Sequence, residues 1–207
     1  MNTVATPYKQ ELRTKILDTA MTLFKSQGIK KVRMDDIATT LGISKRTLYE
    51  IYGNKEELLF EGIKRDEQKR QRMLNEFSFT SSNEMEVVVE ALKLKLKELG
   101  QVNPLFYSEL HKYSKIIDYL LRQREETNRQ TLAFFRRAVA SGYFRRGINY
   151  EIFILMGDGF MNHVMQTKMY DRFSLKEIFM NYVNIQVRGL CTPKGLKILS
   201  AKFPESV

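Results

Sequence analysis

The chain has 207 residues, 43% hydrophobic and 28% charged, which suits a folded protein of one large or two small domains and excludes a disordered one. Its 34 Lys plus Arg outnumber 24 Asp plus Glu, and the net charge of +10 favours a polyanionic partner, nucleic acid ahead of an anionic membrane surface. A single cysteine, Cys191, excludes a disulfide framework or a cysteine-rich zinc site, and short apolar runs exclude a bilayer span. With no apolar leader at the start, the expectation is a soluble cytoplasmic protein without metal or cofactor.

Period-2 alternation is nearly absent and helical periodicity runs throughout, so the expected fold class is all-α with about nine helices. The first helix is predicted from Pro7 to Gln27, capped by Thr6 and stopped by Gly28, with Leu12, Ile16, Ala20, Leu23 and Phe24 as its buried stripe. A short helix over Asp35–Leu41 buries Ile37, Ala38 and Leu41. Gly42-Ile43-Ser44 makes a tight turn into a second short helix, Lys45–Tyr52. Gly53-Asn54 stops that helix, and Asn54 with Glu57 opens a long fourth helix to about Asn75. Ser78–Asn83 reads as a polar break, with Ser81 and Glu84 at capping-box spacing before a helix to Leu99. Further helices are predicted from Asn103-Pro104 to Tyr113, over Lys115–Ser141, from Asn149 to Lys168 and from Ser174 to Leu190. The tail after Thr192-Pro193 reads as short, basic and either irregular or loosely docked.

A short helix, a glycine-containing turn and a second short helix form a helix-turn-helix pattern. Leu48, Ile51 and Tyr52 make the inner face of the second helix; Arg46 and Glu50 point the other way, flanked by Lys45, Thr47 and Tyr49. Ser44 caps this helix and leaves its positive dipole end to a phosphate. The outward donors suit base edges, and the Tyr49 hydroxyl suits the DNA backbone. Lys55, opening the next helix, offers a second phosphate contact.

The string Ile16-Leu17-Asp18-Thr19-Ala20, Leu23-Phe24, Gly28, Met34-Asp35-Asp36-Ile37-Ala38, Leu41-Gly42-Ile43-Ser44-Lys45, Thr47-Leu48-Tyr49, Tyr52 and Asn54-Lys55-Glu56-Glu57-Leu58 closely resembles the N-terminal domain of the TetR family of bacterial transcription regulators. It does so without a gap from about Gln10 to Leu59. The resemblance implies an all-helical homodimer. Its three-helix DNA-binding domain would be residues 1–54. A larger effector-binding and dimerisation domain would be 55–207, with helix 55–75 connecting the two. Two positions depart from the family pattern. Arg33 stands where Thr or Ser usually caps the second helix, which leaves Asp36 to compensate through the dipole and frees Arg33 for a phosphate or a minor-groove edge. Glu50 lies in the exposed middle of the recognition helix, where phosphate repels it unless it accepts from a cytosine N4 or pairs with Arg46.

The second region is rich in aromatics and methionines, most of them core, with some suited to line an apolar ligand cavity. The candidate effector contacts are Tyr107, His111, Phe134, Met156, Phe160 and His163, against the alternative that each histidine is an ordinary hydrogen-bonded residue. The helix from Asn149 carries one apolar stripe of Phe153, Met156, Phe160 and Val164 and another of Ile154, Gly157, Met161 and Met165, so it packs against its own core and something else. The resemblance assigns it and the final helix to a four-helix dimer interface, with Ile154, Met161, Met165, Ile178, Phe179 and Tyr182 as candidates. The alternative is a pair of central helices in a monomer. Gly157 and Gly159 suit close approach of another helix or a ligand.

The expected function is a homodimeric repressor, released from a near-palindromic operator in double-stranded DNA by a small-molecule effector. The alternative is an effector-independent architectural or cell-organising DNA-binding protein. No nucleophile–His–acid set, phosphate loop or metal spacing points to an enzyme. Residues 1–74 carry 15 basic and 10 acidic groups, so half of the excess charge lies beyond residue 74 and has no assigned partner.

Overall fold

A computed structural model describes residues 7–203, and the predicted cap Thr6 and the segment read for a leader lie outside them. All regular structure among the described residues is helical, apart from one isolated bridge between Phe144 and Cys191. In chain order the helices are α1 Pro7–Gln27, α2 Met34–Leu41, α3 Lys45–Ile51, α4 Lys55–Thr80, α5 Glu84–Leu99, α6 Pro104–Leu110, α7 Ser114–Ala140 and α8 Tyr150–Gln166. A 3-10 turn Met169–Asp171 leads to α9 Leu175–Tyr182. A π-helical segment, Val183–Val187, runs on into α10 Arg188–Leu190, and α11 is Pro193–Lys202.

Three expectations are corrected. First, α4 runs on to Thr80, because Thr80 satisfies its hydroxyl on the Glu76 carbonyl (2.9 Å) and so tolerates the helix that the polar run was expected to break. Second, α5 is capped by Asn83, not Ser81: the Asn83 side chain accepts from Glu86 N–H at 3.1 Å, and Glu86 accepts from Ser82 N–H at 3.1 Å. Third, the tail is a docked helix. Thr192 caps α11 and donates its hydroxyl to the Gly142 carbonyl (2.7 Å), Lys194 donates to the Ser141 carbonyl (2.9 Å), and Lys202 pairs with Glu86.

The chain divides into two compact units, Met1–Arg70 with Val102–Asp118, and Gln71–Gln101 with Tyr119–Val207. The first is larger than the three-helix head, since it includes the start of α4 and all of α6. Its core is Ile16, Ala20, Met21 and Phe24 of α1, packed with Ile29, Ile37, Leu48, Leu58 and Leu59, all nearly free of solvent. Ion pairs Lys25–Asp66 (2.6 Å) and Arg65–Asp18 (2.8 Å) tie α1 to α4. The α6 segment closes the far end of α1. Asn103 N–H donates to the Lys25 carbonyl (2.7 Å), its side-chain amide donates to the Ser26 carbonyl (3.3 Å), and the Glu109 carboxylate accepts from Lys30 N–H (2.7 Å). At Gly28 both φ (+87°) and the Leu105 Cβ, 3.1 Å from where a side chain would start, demand glycine.

In the second unit Phe135 stacks on Tyr150 (4.7 Å) and meets Phe144 and Phe153 edge-on at 5.2 and 5.7 Å. Tyr182 of α9 stacks on Phe160 (5.2 Å) and Phe153 (6.5 Å) of α8. Gly157 makes room for it, since a Cβ there would lie 2.7 Å from the Tyr182 hydroxyl. Gly159 instead faces open space.

The docking of α11 depends on Gly195, where a Cβ would fall onto the backbone carbonyl of Tyr143. That oxygen accepts from Thr192, so it has little freedom to move. We expect Gly195→Ala to cost about 1–3 kcal/mol through overpacking, read as a lower midpoint in urea unfolding of the second unit. An unchanged midpoint would show that α11 is only loosely attached. Cys191 is buried in the same region, and burial pushes its thiol from 9.0 up to about 11. The folded state therefore holds the proton longer than the unfolded chain. Its contribution to stability is present in full below about pH 9 and lost as the pH rises through about 11. Thiol alkylation at pH 8 should accordingly wait on unfolding and speed up sharply in denaturant.

Candidate nucleic-acid interface

The helix-turn-helix is built from local chemistry. At Arg33 the guanidinium has no acceptor to offer, so the cap of α2 is only half made: Arg33 N–H donates to the Asp36 carboxylate at 2.8 Å. Asp36 thus compensates through a hydrogen bond as well as through the dipole. Gly42 closes α2 in the left-handed conformation (φ 65°) and returns N–H groups to Ala38 and Thr39. Ser44 caps α3 by accepting from Thr47 N–H at 3.0 Å, and its hydroxyl lies 2.8 Å from the Thr47 hydroxyl.

Burial orients α3. Leu48, Ile51 and Tyr52 are inside, while Ser44, Lys45, Arg46, Tyr49 and Glu50 are exposed and Thr47 is half-buried. The Tyr52 ring lies under the Arg13 guanidinium (4.8 Å), and burial raises its hydroxyl above the ordinary tyrosine range. Tyr49 is 48% exposed, with its ring free to reach outward. Two of the cations on this face are already paired within the head. Lys45 pairs with Asp35 of α2, and Arg46 donates from Nε to Glu50 Oε1 at 2.8 Å. The Lys45–Asp35 pair is not legible from spacing, because those residues lie on different helices. Lys55 turns inward: Nζ donates to the Val32 carbonyl at 2.6 Å, and burial lowers its pKa, opposed by Glu109 and Asp36. It therefore braces the loop before α2, with its ammonium over the Phe24 ring at 5.8 Å.

The residues expected to contact an effector do not fall in one body. Tyr107 and His111 belong to the first compact unit, and Phe134, Met156, Phe160 and His163 to the second. Both histidines are exposed. Met156 and Phe160 share a half-open cleft of about 580 Å³ with Met169, Phe173, Glu177, Ile178, Asn181, Tyr182, Ile185 and Gln186. Of the residues expected at a dimer interface, Met165, Ile178 and Phe179 are buried inside their own unit. Ile154 and Met161 are half-buried, and Tyr182 is held by its ring stacks. The open apolar surface of α8 is instead Ile152, Leu155 and Met156, each 55–58% exposed, with Gly159 on the same face. Ile185, in the π-helical segment, is 69% exposed. Among the described residues no group of His, Cys, Asp and Glu could hold a metal ion, and no helix is long and apolar enough to cross a membrane.

A short amphipathic helix seated by Leu48 and Ile51 on a small helical core, with polar and basic groups outward, defines a helix-turn-helix DNA-binding domain. Residues 16–61 match the family described as bacterial regulatory proteins, tetR family. Over residues 16–61 the chain is thus similar to the DNA-binding domain of TetR-family regulators. A 47-residue segment is 43% identical to the biofilm operon icaADBC HTH-type negative transcriptional regulator IcaR of Staphylococcus epidermidis. That segment spans 23% of this chain and a quarter (25%) of the relative. The whole fold is similar to a TetR-family transcriptional regulator from Agrobacterium tumefaciens, with TM-score 0.71 at 16% identity over 89% of this chain and 100% of that one. It is also similar to CprB of S. coelicolor A3(2), with TM-score 0.67 at 16% identity over 92% and 93% of the two chains. A regulator-like protein from Saccharomonospora viridis, solved in complex with choline, superposes with TM-score 0.70 at 19% identity over 88% and 99%. At these identities the structural likeness establishes the fold.

Proposed function

We propose that the chain is a homodimeric transcriptional repressor that binds a near-palindromic operator and is released by a small-molecule effector. The observation that carries this reading is the outward face of α3, where Arg46, Tyr49 and Glu50 stand exposed on a buried Leu48–Ile51–Tyr52 seat within a TetR-family domain. Arg46 is the candidate for a base edge, with Glu50 paired to it on the same face. Arg33, Ser44, Lys45, Thr47 and Tyr49 are candidates for the backbone. Lys55 contributes by holding the loop before α2 rather than by reaching phosphate itself. Residues 1–54 serve as the DNA-reading head, and the remainder as the effector-binding and dimerising part.

Support for the dimer comes from α8. Ile152, Leu155 and Met156 form an uncovered apolar stripe beside Gly159, which leaves room for a second backbone to come close. A second copy related by a two-fold axis would cover the stripe and place two copies of α3 in successive major grooves, one helical turn apart. Effector release is supported by the family and by the choline complex of the similar structure. Binding would favour a conformation with misplaced recognition helices, and affinity would fall by the difference in binding energy of the two states.

Gel-shift titration of the purified chain against palindromic and random duplexes at moderate salt tests the reading. It should show tight, saturable binding to an enriched palindrome with two chains per duplex. Equal affinity for random DNA would overturn it.

A further inference from the structure

We propose that Glu50 is a positioning residue for base readout: its carboxylate holds the Arg46 guanidinium by Nε so that the Nη1/Nη2 fork faces a guanine edge. The proposal rests on the DNA-binding reading of α3.

The pair is poorly explained by helix stability. Both members are open to solvent, 88% for Arg46 and 59% for Glu50, and exposed pairs contribute little. Their order along the helix is also the unfavourable one. Arg46 sits in the first turn of α3 and Glu50 in the last, so each charge opposes the helix dipole. Three other helices follow the favourable pattern, with Asp35 and Asp36 opening α2, Glu56 and Glu57 opening α4, and Glu84 and Glu86 opening α5. A carboxylate on the face that meets a polyanion also costs affinity.

What the arrangement supplies is direction. Glu50 Oε1 takes the Nε–H of Arg46 at 2.8 Å, and this holds the planar group by one corner. The two terminal amino groups remain as a parallel pair of donors, which matches guanine O6 and N7. The carboxylate also cancels the net charge of the side chain it holds. The pair has no long-range attraction to phosphate, so its binding energy is realised only where the acceptor geometry is right. A Glu50 that read cytosine N4 itself would instead need its oxygens aimed at the base and not spent on a neighbour.

The test is to select binding sites from a random duplex library with the full-length chain and with Glu50→Ala, Glu50→Gln, Arg46→Ala and the Arg46→Ala/Glu50→Ala double variant. The wild type should enrich a motif containing a guanine whose selection disappears in Arg46→Ala. Glu50→Ala should blur that same position, with discrimination falling by roughly five- to 150-fold, the worth of one bidentate base contact. The double variant should lose no more than Arg46→Ala alone. Glu50→Gln, whose amide oxygen still accepts from Nε, should keep part of the preference. For Glu50→Ala the plot of log affinity for random DNA against log salt should steepen by about one, the signature of one uncovered positive charge. Blurring at a different base pair, or an undiminished guanine preference in Glu50→Ala, overturns the proposal. A wild-type chain that enriches no motif overturns the operator reading itself, and this inference with it.

Discussion

Leu48→Ala is expected to loosen the DNA-reading head by about 2–5 kcal/mol, because it removes a fully buried side chain at the point where α3 is seated. No polar contact replaces what is lost. Ile51 and Tyr52 hold only one end of the helix, and the Ser44 cap holds only the other. Amide hydrogens of α2 and α3 should then exchange faster by roughly 30- to 4,000-fold, the same free energy expressed as an opening equilibrium. Amides of α8 and α11, in the second compact unit, should keep their wild-type rates. Operator binding should weaken together with the loss of protection. If the exchange rates of α2 and α3 are unchanged, Leu48 does not seat the recognition helix and the description of the head is wrong.

Leu155→Glu combined with Met156→Glu should convert a dimer to a monomer. Both residues are more than half exposed in the single chain, so the substitutions leave the fold of that chain intact. In the dimer they would bury two carboxylates per chain against an apolar surface without partners, which is strongly unfavourable. Operator affinity should fall on the order of a hundredfold or more, since each head then binds its half-site without the help of the other. Sedimentation equilibrium of the free protein separates the two effects. A variant that remains dimeric would move the interface away from this face of α8.

The two variants probe different kinds of information. The seat of α3 was legible residue by residue: Leu48, Ile51 and Tyr52 recur at helical spacing, Gly42 closes α2, Ser44 opens α3, and α1 ends at Gln27 as its glycine predicts. The outer face of α8 was not. Two apolar stripes were visible in its sequence, but the stripe that stayed open is the one through Ile152 and Leu155, while Met165 and, in α9, Ile178 and Phe179 turned inward. Periodicity says that a face is apolar. It does not say which neighbour covers it.

The same limit explains the other differences. The tail offers only a short helical stripe, Leu196, Leu199 and Phe203, and its helix is held by contacts from far along the chain, through Ser141, Gly142, Tyr143 and Glu86. Tyr107 and His111 looked like partners of the later aromatics, yet their helix belongs with the head, where Glu109 holds Lys30 across 79 residues of sequence. Caps, turns and the Arg46–Glu50 spacing act within one or two helical turns, so the sequence alone determined most of the helices, the helix-turn-helix and which residues of α3 stand outward. Coverage of a surface, the pairing of Lys45 with Asp35 and the inward turn of Lys55 depend on residues that meet only when distant segments come together, and only the tertiary structure decided them.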